Sequence, residues 1–193
     1  MRQSEIRTVS HDLKNYMTGL WGFTQENKWD EATRCIENVI SKLSDADSGF
    51  DTGHPALDAI LRLKKQSIDL LDIRFDVLLA LPKEISVDVL DLCVIVGNGL
   101  DNAIEACEKL ADGQERYIRL KVNSQSRYIS ICIENPADHV DMTDKLPKTT
   151  KSDKFYHGLG LESIRALTEK YDGSLDIIAA NKVFKLAAMV KNV

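Results

Sequence analysis

Asn98–Ala106 reads NGLDNAIEA, and the fold turns on how these nine residues are placed. At about 100° per residue of helix, Asn98, Asp101, Asn102 and Glu105 fall within about a third of the circumference. Leu92, Cys93, Val96, Leu100, Ala103, Ile104 and Cys107 fill the opposite side, so the spacing predicts a long helix over Ser86–Ala111 with one polar stripe. Two carboxamides four residues apart inside an apolar segment suit a hydrated divalent cation held beside phosphates. A polar helix face lying over a core fits the same pattern.

Working outward from that helix, Ala56–Leu71 reads as a second helix, and Ile73–Leu79 alternates as a strand. Downstream, Ile118, Leu120 and Val122, then Ile129, Ile131 and Ile133, alternate across a turn at Ser124–Arg127. Asp138–Tyr156 is polar and weakly patterned, as in loops that cover a ligand. Leu161, Ile164, Leu167 and Tyr171 mark a further helix, and Ser174–Ala179 with Val183–Val190 form a hairpin about Asn181. Residues 55–193 are therefore expected to form a helix-covered, mostly antiparallel sheet.

At the other end of the chain, Ile6, Val9, Leu13, Tyr16, Met17, Leu20 and Phe23 recur at helical spacing. After a break at Asn27–Asp30, Ala32, Cys35, Ile36, Val39, Ile40 and Leu43 repeat the pattern, with Asp30 available as N-cap. Residues 1–47 thus predict an antiparallel helical hairpin. Two helices cannot enclose both stripes, and a second copy would complete a four-helix bundle, so a homodimer is expected. The Asp-, Ser- and Gly-rich stretch Ser44–Pro55 links this hairpin to the rest, giving an α+β chain of two domains.

Composition narrows the function. With 193 residues, 44% hydrophobic content and a net charge of −5, the chain reads as globular, and the charge argues against a nucleic-acid partner. Cys35, Cys93, Cys107 and Cys132 are scattered singly, without metal or disulfide spacing. No run is long and apolar enough to span a bilayer, so a cytoplasmic location without membrane contact by this chain is expected. Membrane-anchoring segments in a longer parent protein remain compatible with it.

Several residues could do chemistry. His11 lies about 180° from the apolar stripe of its helix, with Asp12 next in sequence and Asn15 on the same face. An exposed imidazole can attack phosphorus when a carboxylate fixes its tautomer and takes its proton. A solvent-facing histidine without function has the same signature. HGLGL at 157–161 offers Gly158 and Gly160 before a helix, where backbone N–H groups can approach phosphate oxygens. Lys151 could add positive charge there. Asn135, at the end of its strand beside Pro136, could read the edge of a base or simply serve a turn.

The order HDLKN, NGLDNAIEAC, IENP, TTK, HGLGL is far more specific than any of its parts. In it the chain resembles the sensor histidine kinases, in particular the branch that includes quorum-sensing peptide receptors, over essentially its whole length. HDLKN is similar to the phosphoacceptor box, NGLDNAIEAC to the N box and HGLGL to the glycine box of the ATP lid. GHPALDAIL resembles the GNPALDALL of that branch, with His54 where asparagine is usual.

The resemblance implies a dimerising, histidine-bearing hairpin followed by a Bergerat-type α/β sandwich of the GHKL superfamily. His11 would then be the phosphorylated residue, Asp12 its base and Asn15 an aid to transfer. ATP and Mg2+ would be the cofactors, with Asn98 and Asn102 facing the metal and phosphates and Asn102 the direct ligand. Glu105 belongs to the same box. Lys151, His157, Gly158, Gly160 and Leu161 would close over the phosphate tail.

Asn135 falls where most of these kinases have the aspartate that reads adenine, and the DxGxG pattern is missing after it. Asn98 stands where the ATPases of the superfamily have a water-activating glutamate. A carboxamide cannot take a proton, so transfer to His11, and then to an aspartate of a response regulator, is expected in place of hydrolysis. Two other readings remain: a phosphotransfer or adaptor protein with a degenerate nucleotide domain, and a serine kinase or ATPase of the same superfamily.

Overall fold

A computed structural model of the chain describes residues 49–111, 113–137 and 159–193, together with Thr18, Gly22, Phe23, Lys28–Ala32 and the backbone of two short strands. The chain divides into two compact units, Met1–Asp47 and Ser48–Val193. In the first unit the expected helical hairpin falls largely outside the described residues. Where they begin again, helix starts at Trp29, with Ala32 N–H donating to the Lys28 carbonyl. Asp30 is therefore inside the first turn and not the N-cap, a position where its carboxylate meets the positive end of the helix dipole.

The second unit is built on a five-stranded mixed sheet in the order β1-β2-β3-β7-β6. Its elements are α1 (Pro55–Leu70), β1 (Arg74–Ala80), α2 (Val89–Glu108), β2 (Tyr117–Gln125) and β3 (Tyr128–Pro136). There follow the two-residue strands β4 (Met142–Thr143) and β5 (Leu146–Pro147), then α3 (Leu159–Lys170), β6 (Ser174–Ala180) and β7 (Val183–Lys191). β1 and β2 are parallel and joined through α2, and the remaining ladders of the sheet are antiparallel.

Period-two alternation explains the layers. Ile118, Leu120 and Val122 of β2, Ile129, Ile131 and Ile133 of β3, and Leu186, Ala188 and Val190 of β7 are all buried on one face. All three helices cover that face. Leu92, Ile95 and Leu100 of α2 are also fully buried, each contributing about 2 kcal/mol of hydrophobic stabilisation. The opposite face carries Arg119, Lys121 and Glu134 and is polar, as in an antiparallel sheet with one solvated side.

Local chemistry sets the element ends. Asp88 caps α2 through its side chain, which accepts from Leu90 N–H at 2.8 Å, so the helix starts at Val89 and not at Ser86. Pro136, expected to end its ladder, still pairs with Val183, and the following Ala137 N–H donates to the Lys182 carbonyl. The hairpin turn of β6 and β7 places Asn181 and Lys182 at φ of 53° and 61°, the left-handed pair of a type I′ turn.

Pro55 opens α1, preceded by His54, whose buried ring donates from Nε2 to the Pro82 carbonyl at 2.9 Å. Asp58 in the first turn accepts from both Thr52 N–H at 2.9 Å and Thr52 Oγ1 at 2.7 Å. The residue that departs from the GNPALDALL pattern is thus a structural tie between the start of α1 and the end of the β1 segment.

Candidate nucleotide site

The polar stripe of α2 survives folding. Asn98, Asn102 and Glu105 are half-buried, while every apolar residue expected opposite them is buried. Asp101 is spent differently: it pairs with Lys64 Nζ of α1 at 2.6 Å, a partly exposed bridge between helices. Two glycines set the approach of neighbours to this helix. A Cβ at Gly99 would stand 2.4 Å from Ile133 Cδ1, so α2 lies directly on β3 there.

Two residues further along the same face of β3 comes Asn135. Because it keeps the parity of Ile129, Ile131 and Ile133, it points to the helix-covered side and is 0% exposed. Its Nδ2 donates to the Pro136 carbonyl at 2.9 Å, which leaves Oδ1 as a buried acceptor without a partner among the described residues. Asn102 Nδ2 is likewise buried without a partner among them. Each such orphan costs about 1–3 kcal/mol, so the two carboxamides are candidates for contact with a ligand.

The third wall comes from α3. This helix begins at Leu159, so Gly160 lies within its first turn and not in a turn before it. A Cβ at Gly160 would meet Asn98 Cβ and Cγ at 3.8 Å and Asn102 Nδ2 at 4.0 Å. Thus Gly160 and the two carboxamides, some sixty residues apart in sequence, are neighbours. The N–H groups of this first helical turn have no partner within the helix and are natural anion donors. Leu161 is half-buried and packs on the core, anchoring the turn.

The geometry therefore gathers Asn98, Asn102 and Gly160, with Asn135 reached through the Gly99–Ile133 contact. His11, Asp12, Asn15, Lys151, His157 and Gly158 lie outside the described residues. Among the described residues no group of three His, Cys, Asp or Glu side chains could hold a metal. A carboxamide pair is still adequate for Mg2+, which keeps most of its waters and shares phosphate oxygens. The buried Asn102 amide suits such a ligand, because a half-turn about its last torsion exchanges nitrogen for oxygen at the same place.

The described cysteines take no part in this region. Burial raises the Cys93 and Cys107 thiols to about 11, and both are free, as is Cys132. No described helix is long and apolar enough to cross a membrane.

A sheet with its helices on one face, a carboxamide stripe on the central helix and a glycine turn against it define a GHKL-type domain. Residues 87–191 match the GHKL domain family, and the chain belongs to it. Among solved structures, it is similar to the catalytic domain of the histidine kinase ThkA, at 16% identity and a TM-score of 0.57, over 71% of this chain and 92% of that one.

It is also similar to the Acinetobacter baumannii histidine kinase AdeS, at 13% identity and a TM-score of 0.51, over 94% of this chain and 97% of that one. The histidine kinase domain of the Erythrobacter litoralis blue-light activated kinase EL346 matches at 13% identity and a TM-score of 0.51, over 77% and 66%. At such identities the likeness is one of fold. No curated protein matches the chain by sequence.

Two features of the site escaped the sequence. Gly99 sits where α2 touches β3, and its only signal is a glycine opposite a polar stripe in a helix interior. The partner of Asp101 had no signal, because Lys64 lies on another helix.

Proposed function

We propose that this chain is the core of a two-component sensor histidine kinase, which binds ATP in the GHKL domain and phosphorylates its own His11. The observation that carries the reading is the pair of buried carboxamides, Asn102 and Asn135, each with an atom lacking a partner among the described residues.

With Nδ2 of Asn135 engaged by Pro136, the free Oδ1 presents an acceptor. An acceptor fits the exocyclic amine of adenine and is mismatched to the 6-oxo group of guanine. Asn thus does here what an aspartate would do. Asn98, Asn102, Glu105 and the first turn of α3 with Gly160 and Leu161 would hold the phosphates. Lys151, His157 and Gly158 are proposed to close over them. Mg2+, when bound, would offset phosphate charge with Asn102 as its protein ligand and Asn98 beside it.

The reaction is a phosphoryl transfer. A ring nitrogen of His11 attacks the γ-phosphorus, the bond to the β-phosphate oxygen breaks, ADP leaves and Asp12 takes the imidazole proton. Asn15 is proposed to orient the transferred group. The phosphohistidine then passes its phosphoryl group to an aspartate of a response regulator. Asn98 has no basic lone pair to activate water, which favours transfer over hydrolysis. Homodimerisation through residues 1–47 would place the hairpin in a four-helix bundle.

The test is incubation of the chain with Mg2+ and γ-labelled ATP or γ-labelled GTP. Acid-labile, alkali-stable label from ATP that disappears in His11→Ala is expected, with label from GTP much lower. Label that survives His11→Ala would make the chain a different GHKL kinase. ATP binding without label would favour a phosphotransfer or adaptor role, with the nucleotide domain degenerate.

A further inference from the structure

At the end of α2 remote from Asn102, three side chains converge. Asp91 Oδ2 accepts from Lys170 Nζ at 2.6 Å and from Tyr171 Oη at 2.6 Å. Tyr171 Oη in turn accepts from Asp88 N–H at 3.1 Å, the N-cap residue of α2. Lys170 also lies over the Tyr171 ring, 5.1 Å from its centroid. Hydrogen bonds from Lys170 and Tyr171 hold Asp91 below the usual carboxylate range, with the Lys170 contact the larger cause.

The cluster joins the C-terminus of α3 to the N-terminus of α2. The other end of α3 is the first turn whose Gly160 faces Asn98 and Asn102. The two helices are thus antiparallel, pinned at one end and facing the candidate phosphate site at the other. Between the two ends α3 buries Ile164 and Thr168. From Gly160 to Tyr171 is about 16 Å of helix, so a tilt of about 4° at the pinned end moves the first turn by about 1 Å. A displacement of that size at a reacting centre can cost up to about 100-fold.

We propose that Asp91, Lys170 and Tyr171 form a staple whose role is to position the first turn of α3 for the phosphate groups of the nucleotide. The staple touches no part of the nucleotide, so these are positioning residues. The proposal rests on the reading of this region as an ATP site. Because the staple governs the phosphate end alone, its loss should separate ATP from adenosine, which carries the base and sugar without phosphate.

The experiment uses the full chain and calorimetric titration with Mg2+ and ATP, and separately with adenosine, well below the melting temperature of each variant. Tyr171→Phe keeps the ring and removes both hydrogen bonds; Asp91→Asn removes the charge with the same shape. Each should raise the Kd for ATP about five- to tenfold and leave that for adenosine within about twofold. Lys170→Arg, which keeps the cation beside Asp91, should retain near wild-type affinity for ATP. Arg74→Gln, which breaks a surface pair with Glu115 elsewhere on the domain, should change neither ligand.

Equal loss of ATP and adenosine affinity would reduce the cluster to general stabilisation and overturn the proposal, as would unchanged affinity for both. A wild-type chain that binds adenosine and ATP equally would also overturn it. Wild-type chain that binds neither would refute the ATP reading itself, and the staple's role with it.

Discussion

The two ends of the α2–α3 pair hold polar groups in opposite states. At the Asp91 end each polar group has a partner: the carboxylate has Lys170 and Tyr171, the phenol has Asp88 N–H, and the Asp88 side chain has Leu90 N–H. At the Asn102 end, buried amide atoms of Asn102 and Asn135 have none among the described residues. Satisfied polar groups hold a fold together, whereas orphaned ones cost it stability. The contrast separates scaffold from candidate site without reference to any sequence motif.

Breaking the orphan end should cost activity and spare the fold. Asn102→Ala removes an amide whose Nδ2 has no partner to lose among the described residues, so the melting temperature without nucleotide should stay within about 2 °C of wild type. Labelling from ATP should fall roughly 100-fold, since the proposed metal and phosphate contact goes with it. Thermal denaturation and the labelling assay, run on the same preparation, check both halves. A large fall in melting temperature would show that Asn102 belongs to the scaffold.

A second substitution sharpens the contrast by reversing the usual sign. Asn135→Leu replaces a fully buried amide by an apolar side chain of similar size. It forfeits the bond to the Pro136 carbonyl but removes the unpaired Oδ1, for a net gain of about 1 kcal/mol in urea denaturation. The preference for ATP over GTP should meanwhile vanish. A destabilised variant that keeps the preference would place the adenine contact elsewhere.

The smallest effect belongs to the satisfied end. The Asp91 carboxyl is held below its unfolded value, so its contribution is present above that value and lost as pH falls through the lower folded one. The difference in melting temperature between wild type and Asp91→Asn should be about 2 °C at neutral pH and shrink below about pH 4. A difference independent of pH would mean that the charge does not matter and the shape does.

What could be read in advance follows from the range of the physics. The helix of NGLDNAIEA, the alternating strands about Ile118–Val122 and Ile129–Ile133 and the turn at Asn181 were legible because periodicity and turn chemistry act over a few residues. The buried setting of Asn135 was implicit in its parity with Ile133, although its strand-end position drew the reading towards an ordinary turn. Gly160 was legible as a glycine at the start of a helix but not as part of it, and not as a neighbour of Asn98 and Asn102. Asp91 and Tyr171 are eighty residues apart, and nothing local ties an aspartate in one helix to a tyrosine after another.

Gly173 follows the staple directly, donating from N–H to the Thr168 carbonyl at 2.9 Å. A Cβ there would stand 1.8 Å from the Met189 carbonyl oxygen, an overlap with backbone that no rotamer relieves. In a saturation library scored for signalling, this codon should tolerate no replacement and look as important as those of the polar stripe. Depletion in such a screen would then mark two unlike classes of position, and only the ratio of ligand affinity to protein abundance would tell a hinge post from a binding group.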